Sequence, residues 1–323
     1  MDRTKLLFLS AFAIAVFVVR ANRPAWAWGN QGHEIISIIA ADNLSPAARE
    51  HVAKILGTPS DVDSLEKAMA AASIRPDTEF REEDRSTAPW HFIDICLQDR
   101  RSDLPARCPG GACVTAKIDE YAKRLQEGDC DKWGGDGDLA FLIHFVGDVH
   151  QPLHAATDAD RGGNCIAVES HPYARNLHAA WDTAVVYRLE DSVDSGSPTT
   201  TAHKLEQIYA AQKDADSWKP GEAEDIAWES NQLARSEIYK ALNIPIEPCQ
   251  PDVDSCANAP RGTLDLDNAY MSKAATIAGQ QLAKAGFRLA SLLNGIWPSG
   301  SSTSNCARES ASPASPQPGA LDR

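Results

Sequence analysis

Within eleven residues, His144-Phe145-Val146-Gly147-Asp148-Val149-His150-Gln151-Pro152-Leu153-His154, the chain carries three histidines and one aspartate. This run constrains the fold more than any other, because imidazole and carboxylate groups set among apolar residues must find partners once buried. His144 and Asp148 are four apart and share one face of a helix. Pro152 ends that helix and sends His154 off on a new course. Downstream, Asn176-Leu177-His178-Ala179-Ala180-Trp181-Asp182 repeats the spacing with His178 and Asp182. Two such pairs and a further histidine suit zinc or a similar ion. A lone helical histidine is usually a surface or satisfied core group, but the repeated pairing weakens that account. The protease motif with two histidines four apart around a Glu base is absent.

The surroundings are those of a helical protein. Leu139, Phe141, Leu142, Ile143 and Val146 make the central helix a mostly apolar rod, entered from a glycine-rich loop over 134–138. Ser45-Pro46 reads as an N-cap followed by Pro at the first helical position, with Gly57 as the stop. The periodicity predicts further helices over 62–72, 115–126, 199–212, 222–242 and 267–294. A helix from His178 to Leu189 and a short strand over 165–168 complete the pattern. The fold class expected is all-α: one mainly helical domain over residues 28–297 with a small β excursion. The Ser/Pro/Gly/Ala-rich tail over 298–323 reads as disordered.

The N-terminus has a positive start at Arg3 and Lys5, a 14-residue apolar run too short to span a membrane comfortably, and a small-x-small site at Ala25-Trp26-Ala27. This reads as a signal peptide over 1–27, with an uncleaved anchor as the alternative. The product is then secreted or periplasmic, with no stable membrane association and as a monomer. Removal of the leader takes the formal charge from -14 to about -17, which excludes a basic nucleic-acid cradle but not a substrate held through metal ions. Export agrees with eight cysteines used as disulfides. Cys108 and Cys113 read as one short loop, Cys249 and Cys256 as another, and the pairing of Cys96, Cys130, Cys165 and Cys306 stays open. Asn43-Leu44-Ser45 is a lone glycosylation sequon.

Cleavage would make Trp28 the first residue, and a free α-amine is a nitrogen ligand once deprotonated. Its amine and the ring of His33, at the start of an apolar helix, can reach one ion. The bland alternative is a buried N-terminal helix with an incidental histidine. Asp77 lies in a polar break, where a solvated turn aspartate is ordinary. His91 and Asp94 stand in the aromatic stretch Pro89-Trp90-His91-Phe92-Ile93-Asp94, where a polar pair calls for a partner or a function.

Taken together, Trp28 after a signal site, His33, Trp90-His91-Phe92-Ile93-Asp94, the 144–154 stretch, Gly162-Gly163-Asn164 and the 176–182 stretch resemble the S1/P1-type zinc-dependent single-strand nucleases, relatives of zinc phospholipase C. The resemblance spans the whole mature domain. It implies three zinc ions: one held by Asp77, His91, His144 and Asp148, a second by His154, His178 and Asp182, and a third by Trp28, His33 and a bridging oxygen of Asp148. His51, His150, His171 and His203 are left as structural or surface residues, with His150 a candidate for orienting a ligand. The resemblance further implies hydrolysis of single-stranded DNA and RNA to 5′-phosphates, with activity on 3′-nucleotides, through a water ionised by the metal ions. Asp148 and Asp94 are then catalytic, and Phe92, Asp94 and Thr183 contact substrate, Phe92 by stacking on an unpaired base.

Two positions depart from the family pattern. Thr183 stands where some members have an Asn that contacts the base, so base preference does not carry over. Ile74-Arg75-Pro76 precedes Asp77 in place of the usual Trp and Ala, leaving Glu79, Glu83 and Asp84 as its rivals. The competing functions are a zinc phospholipase C and a non-catalytic exported zinc-binding protein. The latter class carries His-rich tracts, which this chain lacks.

Overall fold

The computed structural model describes residues 28–219, 221–249 and 256–301. The expected leader over 1–27 and the tail beyond residue 301 lie outside the described residues.

The chain is mainly helical, as expected. In order come α1 (Gly29–Asp42), α2 (Pro46–Leu56), α3 (Val62–Ser73), the short α4 (Glu79–Glu83), α5 (Val114–Glu127), α6 (Gly134–His150), α7 (Leu177–Ala179), α8 (Val185–Ser192), α9 (Pro198–Tyr209), α10 (Ala223–Leu233) and α11 (Asn268–Ile296). Local chemistry sets many of the ends. Ser45, Asp61 and Ser197 accept hydrogen bonds from backbone N–H groups in the first turns of α2, α3 and α9, satisfying donors that have no partner within the helix. Gly57 closes α2 at φ 65°, a left-handed conformation in which glycine carries no steric penalty.

The β excursion is a three-stranded sheet in the order β2-β1-β3. β1 (Ala167–His171) pairs antiparallel with β2 (Ala174–Asn176) and parallel with β3 (Thr263–Leu264). The sequence pointed to β1 alone.

One helix organises the rest. α6 packs against α1, α3, α5, α10 and α11, and every residue from Leu139 to His150 is buried. Seven of these are large apolar side chains, at Leu139, Phe141, Leu142, Ile143, Phe145, Val146 and Val149. At roughly 2 kcal/mol each, their burial outweighs the cost of several kcal/mol for carrying an ionisable group such as Asp148 into the core. Gly147 is needed for this packing: a Cβ there would sit 2.8 Å from His33 Nδ1 and 3.2 Å from Ile36 Cδ1. Its bare backbone lets α1 close onto α6 and brings His33 beside Asp148.

Some expectations are corrected. The glycine-rich 134–138 segment is the first turn of α6, not a loop before it. The space a Cβ at Gly137 would need is taken by Trp133 at 2.4 Å, so small residues serve packing there. The 222–242 helix is regular only to Leu233 and continues as the π-helical turn Ala234–Tyr239. α7 and α8 are likewise joined by a π turn, Ala180–Ala184. Cys108 does bond Cys113, but Cys249 and Cys256 do not pair with each other. Cys249 bonds Cys96 and Cys256 bonds Cys165. The described residues before Cys249 lie along the segment after α6, where the Glu247 N–H donates to the Asp158 carboxylate, so Cys249 meets the distant Cys96 rather than its local neighbour.

Candidate metal centre

Six separate segments deliver donors to the floor formed by α6. His33 comes from α1, Asp77 from the 3-10 turn Arg75–Asp77, and His91 from the end of the turn Arg85–His91. His154 comes from the turn Pro152–Ala155, His178 from α7, and Asp182 from the π turn that follows. All are buried, as are His144 and Asp148. Asp182 lies within the π turn Ala180–Ala184 that joins α7 to α8, four residues after His178.

The donor atoms converge in three groups. His33, His144 and Asp148 form one, Asp77, His91 and His144 a second, and His154, His178 and Asp182 a third, each with donor atoms within 4.8 Å of one another. Asp148 Oδ2 lies 3.0 Å from His91 Nδ1 and 3.3 Å from His144 Nε2, while Oδ1 lies 3.4 Å from His33 Nε2. Asp77 spans His91 at 3.6 Å and His144 at 3.7 Å. Its rivals point elsewhere: Glu79 is exposed and pairs with Arg75, Glu83 is exposed, and Asp84 caps the following turn and binds Lys132.

Backbone carbonyls aim the rings. His144 Nδ1 donates to Ser73 O at 2.7 Å, His154 Nδ1 to His91 O at 2.8 Å and His178 Nδ1 to Gly162 O at 2.7 Å. A carbonyl only accepts, so Nδ1 carries the proton and the Nε2 lone pair faces the cluster. Gly162 is at φ +59°, and a Cβ there would meet Leu153 O at 2.5 Å. Only glycine fits this turn, which places the acceptor for His178.

The electrostatics are those of a site built for cations. Burial lowers the His91, His144, His154 and His178 pKa values, keeping the rings neutral. Burial first, then the Asp77 charge, raises Asp148; burial likewise raises Asp182. Asp148 Oδ1 and Asp182 Oδ2 are buried without a hydrogen-bond partner, and the ring nitrogens of His154 and His178 face each other at 3.2 Å. Converging lone pairs and bare carboxylate oxygens repel until a positive charge sits among them. Neutral imidazoles with buried carboxylates are the donor set of zinc, so these residues fit such an ion.

The other sequence candidates are also placed. Trp28 is buried at the start of α1. The adjoining Gly29 abuts the Asp182 carbonyl and the Thr183 hydroxyl. Phe92 is 39 % exposed and lines a cleft with Asp94, beside the Cys108–Cys113 loop. Thr183 sits against Gly29 and is not among the residues lining that cleft. His150 does not touch the candidate ligands: it donates to Val146 O and faces the Arg288 guanidinium. The side chain of His171 lies outside the described residues. His51 stacks on Trp297, and His203 joins Asp42 and Glu66 in a separate half-buried group.

Sequence reasoning missed two residues. Arg81 binds Asp77 at 3.2 Å, and its positive charge helps hold the His91 and His144 pKa values down. Gln151 donates to Asp182 Oδ1 at 2.6 Å. Arg81 is four residues after Asp77, a helical spacing that could have flagged it. Gln151 carries no such signal, since its partner is 31 residues away.

Comparison with known proteins agrees with this geometry. The profile of the S1/P1 Nuclease family matches residues 28–298. Nuclease P1 of Penicillium citrinum is 30% identical over 292 residues, covering 83% of this chain and 97% of the relative. Nuclease S1 of Aspergillus oryzae is 28% identical, covering 90% and 97%, and Endonuclease 2 of Arabidopsis thaliana is 27% identical, covering 92% and 100%. None of these is a phospholipase. With a helical fold built around buried His/Asp clusters and a profile match across the described core, the chain belongs to the S1/P1 nuclease family and is a nuclease.

Proposed function

We propose that this chain is an exported zinc-dependent endonuclease that cuts single-stranded DNA and RNA to 5′-phosphate products and also removes phosphate from 3′-nucleotides. The observation that carries the reading is Asp148, whose two oxygens face different donor groups 3.0 Å and 3.4 Å away. A carboxylate so placed can join two ions, and paired ions are the usual means of hydrolysing a phosphodiester. Export rests on the leader over 1–27 and the disulfides, and the nuclease domain is read as residues 28–297. Among the described residues, no helix is long and apolar enough to cross a membrane.

Three zinc ions would be held as follows: by Asp77, His91, His144 and Asp148; by His154, His178 and Asp182; and by Trp28, His33 and the second oxygen of Asp148. When bound, zinc lowers the pKa of water toward neutrality and neutralises phosphoryl charge. The chain's own groups do the rest. Arg81, at the edge of the cluster, holds the non-bridging phosphate oxygens with a fixed fork of donors. Asp94 accepts a hydrogen bond from the attacking water and orients it. Water adds at phosphorus, the bond to the 3′-oxygen breaks, and that oxygen leaves as a hydroxyl. Phe92 stacks on a base, which requires that the base be unpaired. Single-strand preference then needs no basic groove, in keeping with the acidic chain. Thr183, packed against Gly29, reaches substrate only near the mature N-terminus.

The test is zinc content and hydrolysis measured on one preparation beginning at Trp28. About three zinc ions per chain, with 5′-phosphate ends that disappear on chelation, are expected. Full zinc with no cleavage of single strands would overturn the reading.

A further inference from the structure

Gln151 is fully buried between the end of α6 and the turn that carries His154. Its side-chain oxygen accepts the Leu153 N–H at 2.6 Å, capping the turn Pro152–Ala155. Its amide nitrogen donates to Asp182 Oδ1 at 2.6 Å. The two contacts settle the orientation of the amide, since the Leu153 N–H can only donate and the carboxylate, when ionised, can only accept. Asp182 is thereby held by one oxygen. The other, Oδ2, has no hydrogen-bond partner and lies 3.5 Å from His178 Nε2.

We propose that Gln151 is the positioning residue of the His154/His178/Asp182 site, locking one oxygen of Asp182 so that the other faces the metal while its carbonyl end fixes the turn bearing His154. Two of the three donors are aimed by one side chain. This rests on the zinc reading above. Groups that orient ligands from behind are worth about 10–100-fold in metal affinity.

A purely structural role is separable by a neighbour. Gln281, also buried, donates to His150 O at 3.2 Å, so it pins the same end of α6 without touching a candidate ligand. Gln151→Met and Gln281→Met, each made in the chain beginning at Trp28, are compared with the parent by zinc content against rising chelator and by thermal melting. Gln151→Met is expected to release one of its zinc ions at about 10–100-fold lower chelator while the others are held as in the parent. Gln281→Met is expected to lower the melting temperature and to keep the parent's chelator profile. Retention of every ion by Gln151→Met, or the same profile in both variants, would overturn the proposal. If Gln151→Met does not fold, Gln151→Asn, with an amide one methylene too short for Asp182, takes its place. Failure of both to fold would assign Gln151 to the fold alone and also overturn it. A parent chain that takes up no zinc would instead sink the zinc reading.

Discussion

Asp148 faces His33 across 3.4 Å with an oxygen that no hydrogen bond occupies. Its other oxygen is shared between His91 and His144. If that carboxylate joins two ions, Asp148→Asn should cost more than one zinc per chain and lower kcat by at least about 100-fold. Elemental analysis of the purified variant checks this, and an unchanged zinc count would remove the bridge.

The proposed N-terminus at Trp28 is the second test. An α-amine offers a lone pair once deprotonated, but a peptide nitrogen does not. A chain that keeps one extra residue before Trp28 should bind one zinc fewer and lose activity. Full zinc and full activity in that chain would exclude the amine as a ligand.

Phe92 keeps an exposed ring beside the buried His91. Base stacking on an aromatic side chain contributes about 1–3 kcal/mol, so Phe92→Ala should raise KM for oligonucleotides roughly 5- to 150-fold while the zinc content stays that of the parent. An unaffected KM would take Phe92 out of the base site.

Asp138 concerns stability rather than chemistry. It is fully buried in the second turn of α6. Burial first, then the neighbouring Asp131, pushes its carboxyl up to about 8. Between about pH 4, where a free aspartate titrates, and pH 8, the folded chain holds a proton that the unfolded chain has lost. Stability from this group is therefore present at low pH and falls as pH rises through that window. Asp138→Asn should melt above the parent at pH 8, by roughly 2–4 °C for each kcal/mol gained, with the gap closing toward pH 5. Parallel melting curves at both pH values would show that Asp138 does not titrate there.

Much of the site was legible because its spacing is local. His144 with Asp148 and His178 with Asp182 stand four apart, and helical geometry alone puts each pair on one face. The caps at Ser45 and Gly57 are local too, and both appear as read. The start of α6 was misread because glycine lowers helix propensity, while in the fold Gly137 is packed against Trp133. The short separation of Cys249 and Cys256 suggests proximity, whereas the fold sets Cys249 beside Cys96 and Cys256 beside Cys165.

The sequence by itself determined that the chain is helical, that α6 is an apolar rod, and that His144 with Asp148 and His178 with Asp182 share helix faces, since these follow from residue type and a period of 3.6. Tertiary structure alone decided that Asp77 rather than Glu79, Glu83 or Asp84 completes its group, that Arg81 stands at the rim, and that Gln151 reaches Asp182. Those relationships join segments far apart in the chain. They exist only because burial of the α6 core brings the segments together, leaving each polar group in that core to find whichever partner the packing sets beside it.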